Sequence, residues 1–200
     1  MAVDAPVAAK VLPLLELMQE VEESQPDLFG HGEAVARSCE AVAWRLGMSD
    51  EVASALGLAG RLHDLGKAGI DREVLAKVTS LTAEDWAELR RHPAIGANLL
   101  LACELELLAH WILAHHERPD GRGYPYGLSG EEIPVPARIL AAADSYDAMR
   151  TDRVYRPALS HELAAGELAE GIGHQFDGEV VAALLEVVES GLLGAARTAA

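Results

Sequence analysis

Aromatic residues are scarce in this 200-residue chain, at 4%, so its core must be assembled from Leu, Val, Ile and Ala, which suits packed helices. Cysteine is nearly absent. Cys39 and Cys103 are the two present, both inside apolar helical patterns, which excludes a disulfide framework and points to buried thiols in a reducing compartment. No run reaches the roughly 18 uncharged apolar residues of a spanning helix. The most hydrophobic stretch, Leu99 to Ala114, is broken by Glu104, Glu106 and His110. The N-terminal MAVDAPVAAK lacks a basic segment leading into a long apolar one and so does not match a secretion signal. These absences predict a cytoplasmic protein without a membrane span. Basic residues are outnumbered 16 to 32, for a formal net charge of −16, which argues against polymeric nucleic acid or an anionic membrane as partner. An anionic substrate would require local reversal of that field, and bound divalent cations are the usual device.

What is present reads as one helical domain. Hydrophobic residues make up 50%, the mean hydropathy is +0.10, and the length suits one buried core. Helical spacing runs from about Val7 to Glu23, where Pro13 predicts a kink or a restart. This leader helix (1–24) precedes the domain proper (25–195). A loop over Ser24 to Gly32 leads to a helix from His31 to Leu46. The next runs from Ser49 to Leu65, opened by a Ser-Asp-Glu cap and closed by Gly66. Thr82 opens another, and further helices fit Ala94–Ala102, Leu105–Glu117, Pro136–Met149, His161–Ala169 and Asp177–Leu193. Arg118 to Val135 is rich in Gly and Pro, and an irregular segment of that length is usually functional.

The histidines fall in patterns. His63 and Asp64 are adjacent near a predicted helix end, about 100° apart around its axis, so both can flank one metal cluster and Asp64 could bridge two ions. His115 and His116 repeat the adjacency on another predicted helix. His31, His92 and Asp144 are single candidates on separate elements. A lone histidine more often completes a hydrogen bond than binds a metal. Doublets in apolar surroundings are different, because they would bury several polar groups at about 1–3 kcal/mol for each left unsatisfied. His110, His161 and His174 lack such company and read as structural or surface residues.

The strings HDLGKAGI (His63 to Ile70), HHERPDGRGYPYGL (His115 to Leu128) and ADSYDAMRTDRVYRPAL (Ala143 to Leu159) resemble the HD-GYP phosphodiesterase family. RRHPAIGANLL (Arg90 to Leu100) and GIGHQFDGEVV (Gly171 to Val181) fit as well. The likeness extends from about Asp27 to Val188 and implies an all-α, HD-type helical bundle with a long GYP-bearing loop. It implies metal ligands at His31, His63, Asp64, His92, His115, His116 and Asp144. It also implies catalytic roles for Asp64 and Lys67, the lysine contacting phosphate or donating a proton. Gly123, Tyr124 and Pro125 of the GYP loop, with Arg153 and Arg156, are the implied dinucleotide contacts. Some family members bind a third metal through a glutamate four residues before the first histidine, where this chain has Asp27, one methylene shorter with the same carboxylate. Ala68 and Gly178 depart from frequent family residues without touching a ligand.

The resemblance implies hydrolysis of cyclic di-GMP to linear pGpG, and onward to GMP, by a hydroxide bridging two divalent ions, with a third ion through Asp27 as the alternative count and iron or manganese the family's preference. Two rival readings stand beside it: an HD-type phosphohydrolase acting on mononucleotides, and a non-catalytic cyclic di-GMP sensor or protein-interaction module. Regulation would come from outside the domain, through the leader helix, a homodimer, a regulatory protein, or a longer parent chain.

Overall fold

Ten α-helices are formed by the described residues of the computed structural model, which are 5–25, 30–152 and 157–191. They are α1 (Ala5–Ser24), α2 (His31–Arg45), α3 (Asp50–Leu62), α4 (Arg72–Leu75), α5 (Ala83–Leu89), α6 (His92–Ala102), α7 (Glu106–Leu113), α8 (Val135–Arg150), α9 (His161–Glu170) and α10 (Gly178–Glu189). No strand occurs among the described residues, so the architecture is the expected all-α bundle. Short polar side chains set where several helices begin, by accepting first-turn amides that have no partner within the helix. Ser49 accepts from Val52 on α3 and Ser160 from Leu163 on α9, while Asp177 takes the Glu179 and Val180 amides of α10. Thr82 and Asp85 close a reciprocal capping box on α5.

The core is aliphatic, as the scarcity of aromatics predicts. Leu56, Leu62, Leu65, Leu100, Ile112, Ile139, Leu140, Leu168 and Leu184 are fully buried at its centre. Val11, Leu14, Met18 and Val21 are buried along one face of α1, and the last three join the same core. That face also explains why α1 runs through Pro13 without the expected interruption. Burial of each such side chain contributes about 1.5–3 kcal/mol, which together outweighs the roughly 3 kcal/mol cost of an interior proline. Cys39 is buried, but Cys103 is only half-buried, at the turn where α6 ends.

Three boundaries differ from the sequence expectation in ways that shape the site. The helix expected to reach Leu65 ends at Leu62, and the chain tightens into a 3-10 turn over Leu65–Gly69. His63 and Asp64 therefore stand at the junction of the two, and not along a regular helix. The helix expected to reach Glu117 ends at Leu113, so His115 and His116 lie in the turns beyond it. By contrast, α6 starts early, at His92, because Pro93 needs no amide partner in a first helical turn. The segment after His116 is irregular but anchored. Ile133 is buried with Ala114 and Ala137, Leu128 packs on them, and the backbones of Asp120 and Ser129 pair in an isolated bridge.

Candidate metal centre and its rim

One local device orients three imidazoles. His63 Nδ1 lies 2.7 Å from the Gly60 carbonyl oxygen, His92 Nδ1 2.8 Å from that of Leu89, and His115 Nδ1 2.5 Å from that of Ile112. Each contact spans three residues, so each ring is fixed by the turn that precedes it. A carbonyl can only accept, so Nδ1 carries the proton and Nε2 is left with a lone pair. All three Nε2 atoms are buried and have no hydrogen-bond partner. Such groups cost about 1–3 kcal/mol each unless something takes the lone pair.

Two carboxylates stand among them. Asp64 Oδ2 is 3.4 Å from His63 Nε2, while its Oδ1 is 3.6 Å from His92 Nε2. Asp144 Oδ1, from α8, is 3.1 Å from His31 Nε2 and 3.7 Å from His63 Nε2. The donors fall into two clusters, His31–His63–Asp64 and His92–His115–His116, and within each cluster the ligand atoms lie within 4.8 Å of one another. Asp64 faces both. Inward lone pairs, mixed nitrogen and oxygen donors and two flanking carboxylates fit divalent metal ions.

Electrostatics separate the two clusters. Burial holds His92 and His115 below the ordinary imidazole range, and burial together with His92 pushes His116 down to about 3. That cluster is neutral and ready to ligate at pH 7. For His31 burial also opposes the charged form, but hydrogen bonds to Asp144 and Asp147 carry its pKa up to about 10. Burial likewise resists ionisation of Asp64 and Asp144. For Asp64 this is overcome by Lys67 and His63, and for Asp144 by His31, so both remain anionic.

Close backbone approaches assemble the surroundings. A Cβ on Gly66 would fall 1.9 Å from the His92 carbonyl oxygen, so only glycine lets the turn after Asp64 meet the start of α6. That turn brings Lys67 back, with Nζ 2.7 Å from Asp64 Oδ2. A Cβ on Gly123 would fall 2.4 Å from Glu117 Cα, and this contact lets the Tyr124 amide donate to the His116 carbonyl at 3.1 Å. The Tyr124 ring stacks on His116 with centroids 4.8 Å apart. Burial, with Asp144 and Asp64 nearby, raises the pKa of the phenol, which keeps its proton to donate. Next to the histidines lies a cavity of about 210 Å³, with Arg90, Arg118, Arg122, Tyr124 and Ser145 in its lining. This is the local positive rim that the net charge of −16 demanded.

The structure thus brings together His31, His63, Asp64, His92, His115, His116 and Asp144, with Lys67 at their edge. Gly123 and Tyr124 line the cavity; Pro125, joined to Tyr124 by a cis peptide bond, is exposed and outside its lining. Asp27, Arg153 and Arg156 lie outside the described residues. His110 is exposed, with Nδ1 at the Glu106 carbonyl, and His161 pairs with the Tyr146 hydroxyl, so neither joins the cluster. His174 offers its carbonyl to the Asp120 amide.

Three residues escaped the sequence reading. Asp147 places Oδ2 2.6 Å from His31 Nδ1; its spacing of three from Asp144 on one helix was the available signal. Glu117, buried, accepts the Tyr126 and Leu128 amides at 2.6 and 3.0 Å and so ties down the GYP loop. Arg90 sits two residues before His92 and carried no local signal at all.

Comparison with known proteins identifies the family. A family model described as HD domain matches residues 16–180. A cyclic di-GMP phosphodiesterase of Vibrio cholerae is 46% identical over 136 residues, 64% of this chain and 28% of that protein. A 3'3'-cGAMP-specific phosphodiesterase of the same organism is 35% identical over 165 residues, 82% of this chain and 36% of its own length. The chain therefore spans roughly a third of these relatives. The crystal structure of a cyclic GMP-AMP specific phosphodiesterase from V. cholerae superposes with a TM-score of 0.69 at 21% identity, covering 92% of this chain and 49% of that one, a likeness of fold. With the HHExxDGxGYP string at His115 to Pro125 folded against the histidine–aspartate cluster, this chain belongs to the HD-domain family, in its HD-GYP branch.

Proposed function

We propose that this chain is a metal-dependent phosphodiesterase domain that hydrolyses cyclic di-GMP to linear pGpG, and onward to GMP. The observation that carries this reading is a set of three buried, unpartnered Nε2 atoms, those of His63 and His92 close to Asp64 and that of His115 clustered with His92 and His116, beside an arginine-lined cavity. The printed activities of the relatives support the substrate class. His31, His63, Asp64 and Asp144 would hold one divalent ion, and Asp64, His92, His115 and His116 a second. A third ion through Asp27 and a preference for iron or manganese remain part of the proposal. Bound ions would supply water acidified toward neutral pH and neutralise the phosphoryl oxygens.

The chain's own residues then divide the work. Asp64 lends one carboxylate oxygen to each half of the site. Lys67, pinned to Asp64, keeps a proton at Nζ for the leaving ribose oxygen. Tyr124 donates its phenol proton to substrate, and its stack on His116 fixes where that hydrogen bond points. Arg153 and Arg156, by the family resemblance, would add contacts to the dinucleotide. Because one relative is specific for 3'3'-cGAMP, a hybrid dinucleotide is the second substrate to test.

The direct test is chromatographic assay of cyclic di-GMP, 3'3'-cGAMP and a nucleoside monophosphate, with anaerobically loaded protein beside a His63→Ala, Asp64→Ala double variant. The expected outcome is pGpG production that the double variant abolishes. Preferential attack on the mononucleotide would sink the substrate assignment. Dinucleotide binding without turnover in metal-replete protein would make the domain a sensor.

A further inference from the structure

We propose that Arg90 forms a binding site for the second, uncleaved phosphodiester of a cyclic dinucleotide. This rests on reading the cavity as a cyclic-dinucleotide site. The rings and guanidinium of four residues stand in series: His116 stacks on Tyr124, the Arg90 guanidinium carbon lies 5.4 Å from the Tyr124 ring centre, and the same carbon lies 5.9 Å from that of Trp86. Arg90 therefore lies within cation–π reach of two aromatic rings, each such contact contributing about 0.5–1 kcal/mol at exposed sites. It comes from the last turn of the α5 region, two residues before the ligand His92, so its position is tied to the metal centre through rigid chain.

Among the described residues no carboxylate pairs with Arg90, although the chain carries an excess of acidic groups and its neighbour Arg91 is paired with Glu88. Arg118, on the same cavity wall, is already engaged by both oxygens of Asp120. A contact with an aromatic ring supplies no oxygen acceptor, so the guanidinium's fork of N–H donors remains available to two oxygens of a phosphate. The metal centre accounts for the phosphodiester that is cut. A cyclic dinucleotide carries a second, and of Arg90 and Arg122, the two cavity-lining arginines with no carboxylate partner among the described residues, Arg90 is the one set over the Tyr124 ring, separated from the histidines by that ring.

The experiment compares steady-state kinetics of metal-loaded wild type, Arg90→Ala and Arg90→Gln on cyclic di-GMP and on bis(p-nitrophenyl) phosphate, which has a single phosphodiester. Metal content and Tm are measured alongside. The expected result is a KM for cyclic di-GMP raised about tenfold to hundredfold, the usual weight of a charge-assisted hydrogen bond. Turnover of bis(p-nitrophenyl) phosphate should stay within about twofold. Should Arg90→Ala not fold, Arg90→Gln, which keeps a polar side chain without charge, carries the comparison. Equal losses on both substrates would show a packing role and overturn the inference, as would an unchanged KM. A loss for cyclic di-GMP that spares competitive inhibition by cyclic di-AMP would mean a guanine contact and overturn it too. Wild type that cleaves bis(p-nitrophenyl) phosphate but no cyclic dinucleotide defeats the functional reading above and this inference with it. Wild type active on cyclic di-GMP with Arg90→Ala unaffected defeats this inference alone.

Discussion

Asp147 Oδ2 lies 2.6 Å from His31 Nδ1, and that contact decides which nitrogen of the imidazole faces the centre. With Nδ1 engaged, Nε2 is directed at Asp144, 3.1 Å away. The two aspartates are one helical turn apart on α8, so a single face supplies both a candidate ligand and the group that orients the neighbouring imidazole. Removing such an orienting partner lowers metal affinity about 10–100-fold. Asp147→Ala should show that drop in a chelator-competition titration while its far-UV spectrum stays native. Undiminished affinity would remove Asp147 from the metal site.

Asp64 presents one oxygen to each histidine cluster, so its loss should be felt by both. Elemental analysis is expected to find Asp64→Ala nearly devoid of metal, whereas His92→Ala, which disturbs only one cluster, should retain part of its complement. Equal retention by the two variants would mean that Asp64 is not shared.

Glu117 divides its oxygens between the Tyr126 and Leu128 amides. Hydrogen bonds to a buried carboxylate contribute about 1.5–3 kcal/mol each. Glu117→Ala should therefore lower unfolding stability by at least about 2 kcal/mol and speed hydrogen exchange at those two amides. Exchange rates matching wild type would show that the loop is held by its apolar anchors alone.

Gly66→Ala tests the seat of the metal-binding turn. The added methyl would overlap the His92 carbonyl, and forced overpacking costs about 1–3 kcal/mol or more. Chemical denaturation should reveal that loss, accompanied by weaker metal binding because His92 is displaced. An alanine variant as stable as wild type would mean that the turn and α6 separate freely.

After chelation, stability should peak near pH 6.5. His92, His115 and His116 have lowered pKa values in the fold, so they stabilise it above the unfolded value of about 6.5 and lose that contribution as pH falls. His31, raised to about 10, works oppositely: its contribution is complete below about 6.5 and disappears as pH rises toward 10. Thermal melts across pH should show both limbs, and His31→Gln should flatten the alkaline one. An alkaline limb unchanged in that variant would place the titration elsewhere.

Several features were legible in the order of residues alone. Caps at Ser49 and Thr82, helical apolar spacing and the shortage of aromatics are local properties, and they predict an all-α domain because backbone capping and periodicity act within a few residues. The doublets His63–Asp64 and His115–His116 were equally visible. Their helical setting was not. The turn after Asp64 depends on Gly66 meeting His92, 26 residues on, and the turn after His116 on Gly123 folding back onto Glu117, a close approach that helical periodicity does not show. Distance in the chain hid Asp147 and Arg90, whose partners include His31 and the Tyr124 ring, while Glu117 was hidden because its partners are amides of an irregular loop with no periodic pattern.

The sequence by itself determined which groups could bind metal, since donor chemistry belongs to the side chain. Only the tertiary structure decided that three imidazoles turn their Nε2 lone pairs inward, that Asp64 stands between two clusters, and that an acidic protein gathers arginines on one wall. Those outcomes depend on distances between helices, which are set by how the shared core packs.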